Sequence, residues 1–185
     1  ILMIGISGTG GVATHTKSLI KEIDDLNIDI DFYNYYPKSG WRPGKRDLTT
    51  FFGNIYKLYK ITFGLLFFLF RNRYDIIHVQ TSGPMGGFIP AFFSVLLKKI
   101  FSYKLVVTFH HSKTKKFIIE HKKIFEFVLK RCEAFITVSE KQKKLINRYF
   151  KEIESGKIYP VPNGYDPRKL KIIKKKKARR SLGIS

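Results

Sequence analysis

One cysteine, one tryptophan and only 14 acidic residues against 35 lysines and arginines are the scarcities of this 185-residue sequence. The lone Cys132 excludes an intramolecular disulfide and suits a reducing compartment, so a cytoplasmic location is expected. It falls late in an amphipathic stretch, where a buried structural thiol is expected rather than a nucleophile. The shortage of acid leaves a net charge of +21. Such a charge speaks of partners rather than fold. It indicates phosphate-bearing ones: nucleic acid, anionic lipid or a phosphorylated small molecule. Nine of the cations lie between positions 168 and 180, and without them the body still carries +12. Long apolar runs are missing too. Residues 61–70 are uncharged but too short to span a bilayer. Residues 76–97 are long enough, yet contain His78, Gln80, Pro84, Pro90 and three glycines, and read as strand, loop and helix. No leader segment is read, since the sequence opens directly in a strand.

What is present is organised around residues 1–21, ILMIGISGTGGVATHTKSLIK. An uncharged apolar run (1–6) leads to glycines at 8, 10 and 11, then to apolar residues at 12, 13, 19, 20 and 23, the spacing of a helix with one buried face. Strand, glycine turn and helix form the first half of a βαβ unit. Glycines let the backbone turn sharply and approach a ligand. The helix start aims free N–H groups at whatever lies over the loop, and an anion is the natural guest. A tight turn that binds nothing is the plainer alternative.

The same alternation continues down the chain. Strands are expected at 28–34, 75–80, 104–109, 134–138 and 157–161. Helices are expected from Thr49 or Thr50 to about 71, over 88–101, over 116–132 with positions 117, 121, 124, 128 and 132 on one face, and from a capping box at Ser139–Gln142 to about 150. This spacing means α/β class: a Rossmann-like parallel sheet with helices on both faces. Ligands of such sheets sit at the carboxyl ends of the strands. Gly8–Gly11, Gln80–Gly83, His110, His111, Ser139, Asn163 and Gly164 all fall there.

Five segments in order resemble glycosyltransferases of family 4. Gly10-Gly11-Val12-Ala13-Thr14-His15 resembles their first loop, and Tyr74-Asp75-Ile76-Ile77-His78 their third strand. Val106-Val107-Thr108-Phe109-His110 is similar to a "V-V-x-T-x-H" strand. Ala134–Ser139 resembles "A-D-x-V-I-x-V-S", with Phe135 where aspartate is usual, and Val161-Pro162-Asn163-Gly164-Tyr165-Asp166 resembles an "I-P-N-G-V-D" turn. The resemblance implies one half of a GT-B fold: an amino-terminal, acceptor-side domain over 1–167. Residues 168–185 would be a basic linker and the lead-in to a carboxy-terminal half that carries the nucleotide pocket. It implies a retaining glycosyltransferase that uses a nucleotide-sugar donor as substrate, no cofactor and no metal, with a sugar or lipid-linked acceptor. This chain alone would not turn over. By the same resemblance His110 is the catalytic candidate, reaching the donor sugar. Gly10, Gly11, Ser139, Asn163 and Gly164 are donor-binding candidates, and His15, Lys17 and His111 acceptor-binding ones.

Simpler roles stand beside these. A histidine at a strand end can bond a hydroxyl or a phosphate oxygen near neutral pH, whereas His78, mid-strand, is expected to be paired inside the fold. Ser139 is explained as a helix N-cap. His110 and His111 are adjacent, should face opposite ways on a strand, and do not read as a metal site. Gly8-x-Gly10-x-x-Ala13 fits a dinucleotide fingerprint, but strand two ends in Tyr33-Asn34 without the acid an NAD domain wants. No G-K-[ST] follows the glycines, and no nucleic-acid module is recognisable, so nucleic acid is disfavoured. An anionic membrane surface is a candidate partner through Trp41, which sits among Lys38, Arg42, Lys45 and Arg46; a solvated lid is the alternative. The aromatic stretch beyond Phe63 is apolar nearly all round and is expected to be a core helix.

Overall fold

A computed structural model describes residues 1–8, 10–36, 48–82, 85–153, 155–164 and 173–183. The Trp41 loop, and with it the membrane expectation placed there, lies outside the described residues. Six strands form one parallel sheet in the order β2-β1-β3-β4-β5-β6. They are β1 (Leu2–Gly5), β2 (Asp31–Asn34), β3 (Ile76–Thr81), β4 (Lys104–Phe109), β5 (Ala134–Thr137) and β6 (Ile158–Pro160). The helices are α1 (Gly11–Asp24), α2 (Leu48–Tyr59), α3 (Leu65–Arg71), α4 (Met85–Leu97), α5 (Thr114–Arg131), α6 (Glu140–Tyr149) and α7 (Lys175–Ser181). Among the described residues no helix is long and apolar enough to cross a membrane.

Side chains alternate across a strand, so each strand serves two layers. Leu2, Ile4, Ile77, Val79, Leu105, Val107, Phe109 and Phe135 point into the main core. There Phe88 of α4 and Phe125 of α5 meet Phe109 at 6.0 and 5.3 Å between ring centres. The opposite face carries Met3, Gly5, His78, Gln80 and Thr108 and receives α1: a Cβ on Gly5 would sit 3.5 Å from both Thr16 and Gln80. Further along this face Val106, Ala134 and Ile136 are only half-buried. The core face is thus thick and apolar, while the α1 face is thin and holds the polar groups.

Two expectations about helices change. The stretch from residue 48 to 71 is one continuous run, but Lys60–Gly64 takes the wider π form. In a regular helix a step of four overshoots a turn by about 40°. The π turn absorbs part of that, so Ile61, Leu65 and Leu69 stay on one buried line. Phe63, Phe67 and Phe70, expected in the core, are instead 59%, 59% and 64% exposed. The physical reason is that the helix packs on one line of its circumference only; an apolar far side finds no second layer to enter. In α5, residue His121 leaves helical geometry (φ −129°, ψ 30°). Burial after this kink passes to Phe125, Val128 and Leu129, so the expected 117-121-124-128-132 stripe holds only in part.

A polar cluster at the carboxyl rim

Three imidazoles and one amide converge where β1, β3 and β4 end against α1. Gln80, second to last in β3, is buried, and its amide joins the parts. Its Nε2 lies 3.5 Å from Met3 Sδ. A thioether only accepts, which fixes the N–H end of the amide there. The same Nε2 donates to His78 Nε2 at 3.1 Å, and Oε1 accepts from His110 Nε2 at 2.8 Å. His78 Nε2 is therefore the unprotonated nitrogen, and the Thr108 hydroxyl, 2.7 Å away, donates to it as well. His110 carries its proton on Nε2, which leaves Nδ1 as an acceptor. His15, on the second turn of α1, meets His110 edge to face with ring centres 5.0 Å apart. The His110 backbone N–H donates to Thr81 O at 3.2 Å, which extends the ladder one residue past β4.

These rings are kept neutral. Burial first, then the neighbouring imidazoles of His15 and His110, pushes His78 down to about 4. Burial and then His15 push His110 down to about 4 as well. Burial lowers His15. The sequence leaves a hydroxyl and a phosphate oxygen both open as partners of His110; in the fold, ring desolvation and a cluster of like groups disfavour the imidazolium that a phosphate oxygen would want. With Nε2–H occupied by Gln80 and no second proton, His110 suits a hydroxyl donor and not a phosphate oxygen.

The glycine loop lies beside this cluster. Gly8 and Gly10 have φ of +125° and +117°, which only glycine adopts without strain. Gly11 has an ordinary φ, and a Cβ there or on Gly10 would meet nothing within 4 Å. The first helical bond of α1 runs from Thr14 N–H to Gly10 O, no side chain caps the start, and its first turn holds no acid. The N–H groups of Gly11, Val12 and Ala13 precede the first helical bond and have no partner within the helix, the arrangement that receives anions. Lys17 Nζ folds back to Gly8 O at 3.3 Å, placing a cation on the same loop.

The remaining candidates separate. His111 turns away from His15: its ring packs on Phe117 and Phe109, 5.2 and 6.0 Å between centres. Its carbonyl accepts from Thr114 Oγ1 at 2.8 Å and Gln142 Nε2 at 2.9 Å. Ser139 caps α6 by accepting from Gln142 N–H at 3.3 Å. The capping box is not reciprocal, however. Gln142 Oε1 accepts from Val138 N–H at 3.0 Å, one residue earlier than expected, because its Nε2 is held by His111 O and Thr114. Asn163 and Gly164 are exposed at the end of β6. Four strand spacings of about 4.8 Å separate β6 from β1, so roughly 19 Å lies between these residues and Gly10. One small anion cannot touch both. Among the described residues no set of His, Cys, Asp and Glu side chains is arranged to hold a metal ion.

Gln80 and Gln142 connect the cluster and its support; sequence places Gln80 on the rim and Gln142 in a capping box, but shows neither amide's contacts. For Gln80 the trace lies in β3, where IIHVQT puts two polar residues at period two into a strand that a parallel sheet should bury. In comparison with known proteins, the family model described as Glycosyltransferase Family 4 matches residues 9–169. No curated protein matches the chain.

Proposed function

Because the chain belongs to Glycosyltransferase Family 4, we propose that this glycosyltransferase domain forms the acceptor side of an enzyme that moves a sugar from a nucleotide-sugar donor, with retention, to a sugar or lipid-linked acceptor. A second Rossmann-like half, joined through the basic stretch 168–185, would hold the nucleotide and close the cleft. The chain alone would then bind without turning over. The reading requires no metal or cofactor, and a nucleotide-sugar substrate with a free thiol at Cys132 points to the cytoplasm.

The observation that carries this reading is the protonation of His110. Its Nε2–H is tied to Gln80 and its Nδ1 is free to accept. A sugar hydroxyl is the group that satisfies such an acceptor, so His110 would orient the donor sugar. The open N–H groups after Gly10 and at Gly11 would receive the diphosphate, with Lys17 adding charge. His15 would face the acceptor. Ser139 would act mainly through α6, and Asn163 with Gly164 would bound the far end of the cleft. His111 acts as a positioning residue, since its ring and carbonyl are both engaged within the domain.

In the transfer, an acceptor hydroxyl bonds to the anomeric carbon as the bond from that carbon to phosphate breaks, and the hydroxyl proton must leave. An imidazole held near 4 is a weak base at neutral pH. A leaving phosphate, with a second pKa of about 6, takes the proton more readily. His110 then binds and orients and does not serve as the general base. His110→Ala in the complete enzyme should lower kcat about 100-fold with little change in melting temperature, by the scale of losing one polar group that is aligned in the transition state. Normal turnover, or early melting of the variant, would refute the assignment.

A further inference from the structure

Four residues, His110 to Lys113, join β4 to α5 and carry the rim histidine. At one end the His110 N–H donates to Thr81 O of β3 at 3.2 Å, and its ring is held by Gln80. At the other end the hold comes from α6. Gln142 is buried in the first turn of that helix, and both ends of its amide are in use. Its Oε1 accepts from Val138 N–H at 3.0 Å, while Nε2 donates to His111 O at 2.9 Å and to Thr114 Oγ1 at 3.1 Å. The Thr114 hydroxyl donates to the same His111 carbonyl at 2.8 Å. That carbonyl belongs to the residue after His110, so the clasp closes directly behind the rim histidine.

We infer that Gln142 is a positioning residue for His110: its amide ties the loop that carries the histidine to the start of α6. The inference rests on the reading of His110 as the group that orients the donor sugar. The choice of side chain at 142 points to it. Starting α6 does not require an amide, because Ser139 already caps the helix. A glutamate would accept from Val138 N–H equally well, and the helix dipole would favour its charge. What a carboxylate lacks is the N–H. A side chain must both accept and donate to bridge from Val138 to the His111 carbonyl. Without that donor, His111 O keeps only the Thr114 hydroxyl, and among the described residues no other hydrogen bond joins the loop to α6. A shift of about 1 Å in a group aligned with the reacting centre can slow a reaction about 100-fold, so a loose loop would show in turnover.

Two substitutions separate the ends of the amide. Gln142→Glu keeps the acceptor for Val138 and removes the donors to His111 O; Gln142→Lys keeps donors and removes the acceptor. In the 185-residue chain, amide hydrogen exchange followed by NMR should quicken at His110 about tenfold or more in Gln142→Glu and stay within about twofold of wild type in Gln142→Lys. Thr114→Val, which removes the other donor to His111 O, should quicken His110 in the same direction and gives the answer if either Gln142 variant fails to fold. In the complete enzyme, Gln142→Glu should lower kcat about tenfold with the donor KM and melting temperature little changed, and Gln142→Lys should recover most of that loss. Wild-type exchange at His110 in Gln142→Glu and Thr114→Val would overturn the inference. So would normal kcat in Gln142→Glu, or a loss confined to Gln142→Lys, which would leave only a cap on α6. Normal turnover by His110→Ala would instead remove the role of His110 itself while leaving the exchange contrast in place, so the two failures are distinguishable.

Discussion

Lowering the pH from 7 to 5 should destabilise this domain through His78 and His110. In the unfolded chain these imidazoles have the ordinary value of 6.5, whereas in the fold both are held near 4. Between those values the unfolded state binds protons that the native state refuses, so stability falls as pH drops through this window and is unaffected above it. At pH 5 an unfolded His78 is almost fully protonated and the folded one hardly at all. The difference relative to pH 7 is roughly 2 kcal/mol. His110 adds a smaller amount, because its ring reaches solvent, and the two are not additive, since each disfavours the other's charge. Glu133 is held below the ordinary carboxylate value and so stays ionised between pH 7 and 5. Burial opposes its ionisation, but Lys98 and the Leu105 N–H outweigh that and lower it. Urea unfolding followed by far-UV circular dichroism at pH 7 and pH 5 gives the loss directly. His78→Gln should shrink it by roughly 2 kcal/mol. Equal stability of the wild-type chain at both pH values, or an undiminished loss in His78→Gln, would refute the cluster as the cause.

A Cβ on Gly87 would lie 2.1 Å from the Ser82 carbonyl oxygen, so Gly87→Ala should cost about 3 kcal/mol and lower the melting temperature by roughly 10 °C. Gly11→Ala, with nothing within 4 Å, should melt like wild type, which a thermal scan of the pair would show. Cys132 is buried and its thiol is pushed up to about 12, chiefly by burial. Ellman's reagent should leave it unmodified in the native chain at pH 8 and titrate one thiol after unfolding.

Periodicity read the sheet well because parallel strands are short uncharged runs between turn residues. β4 falls at Lys104–Phe109 as expected, and β3 and β5 agree to within a residue at each end. β2 is shorter than its alternation implies, since as an edge strand it pairs with β1 only from Asp31. Apolar content misled at α3, where burial depends on whether a second layer exists, which no local pattern encodes. The kink at His121 was likewise invisible, as no Pro or Gly marks it. At the rim, sequence position located His110 and the glycines but not the state of the ring. That state depends on Gln80 and Thr108, and their contacts with the histidines exist only once β3 and β4 lie side by side.

The strand order also bears on how the chain acquires its fold. β1 is made first, and Leu2 pairs on one side with Asp31 and on the other with Ile77, 75 positions later. At about 5–20 residues per second of synthesis, β1 lacks its second neighbour for roughly 4–15 s after it is made. The α2–α3 aromatics are made late in that interval, just before β3. β3 to β6 have shorter separations, with Ile76 meeting Lys104 and Val106 meeting Ala134, and can zip in succession. Closing the β1–β3 seam is therefore the costly event. A nascent chain of this design should therefore gain from holdase chaperones until that seam closes, and slowing translation just after β3 should raise its soluble yield.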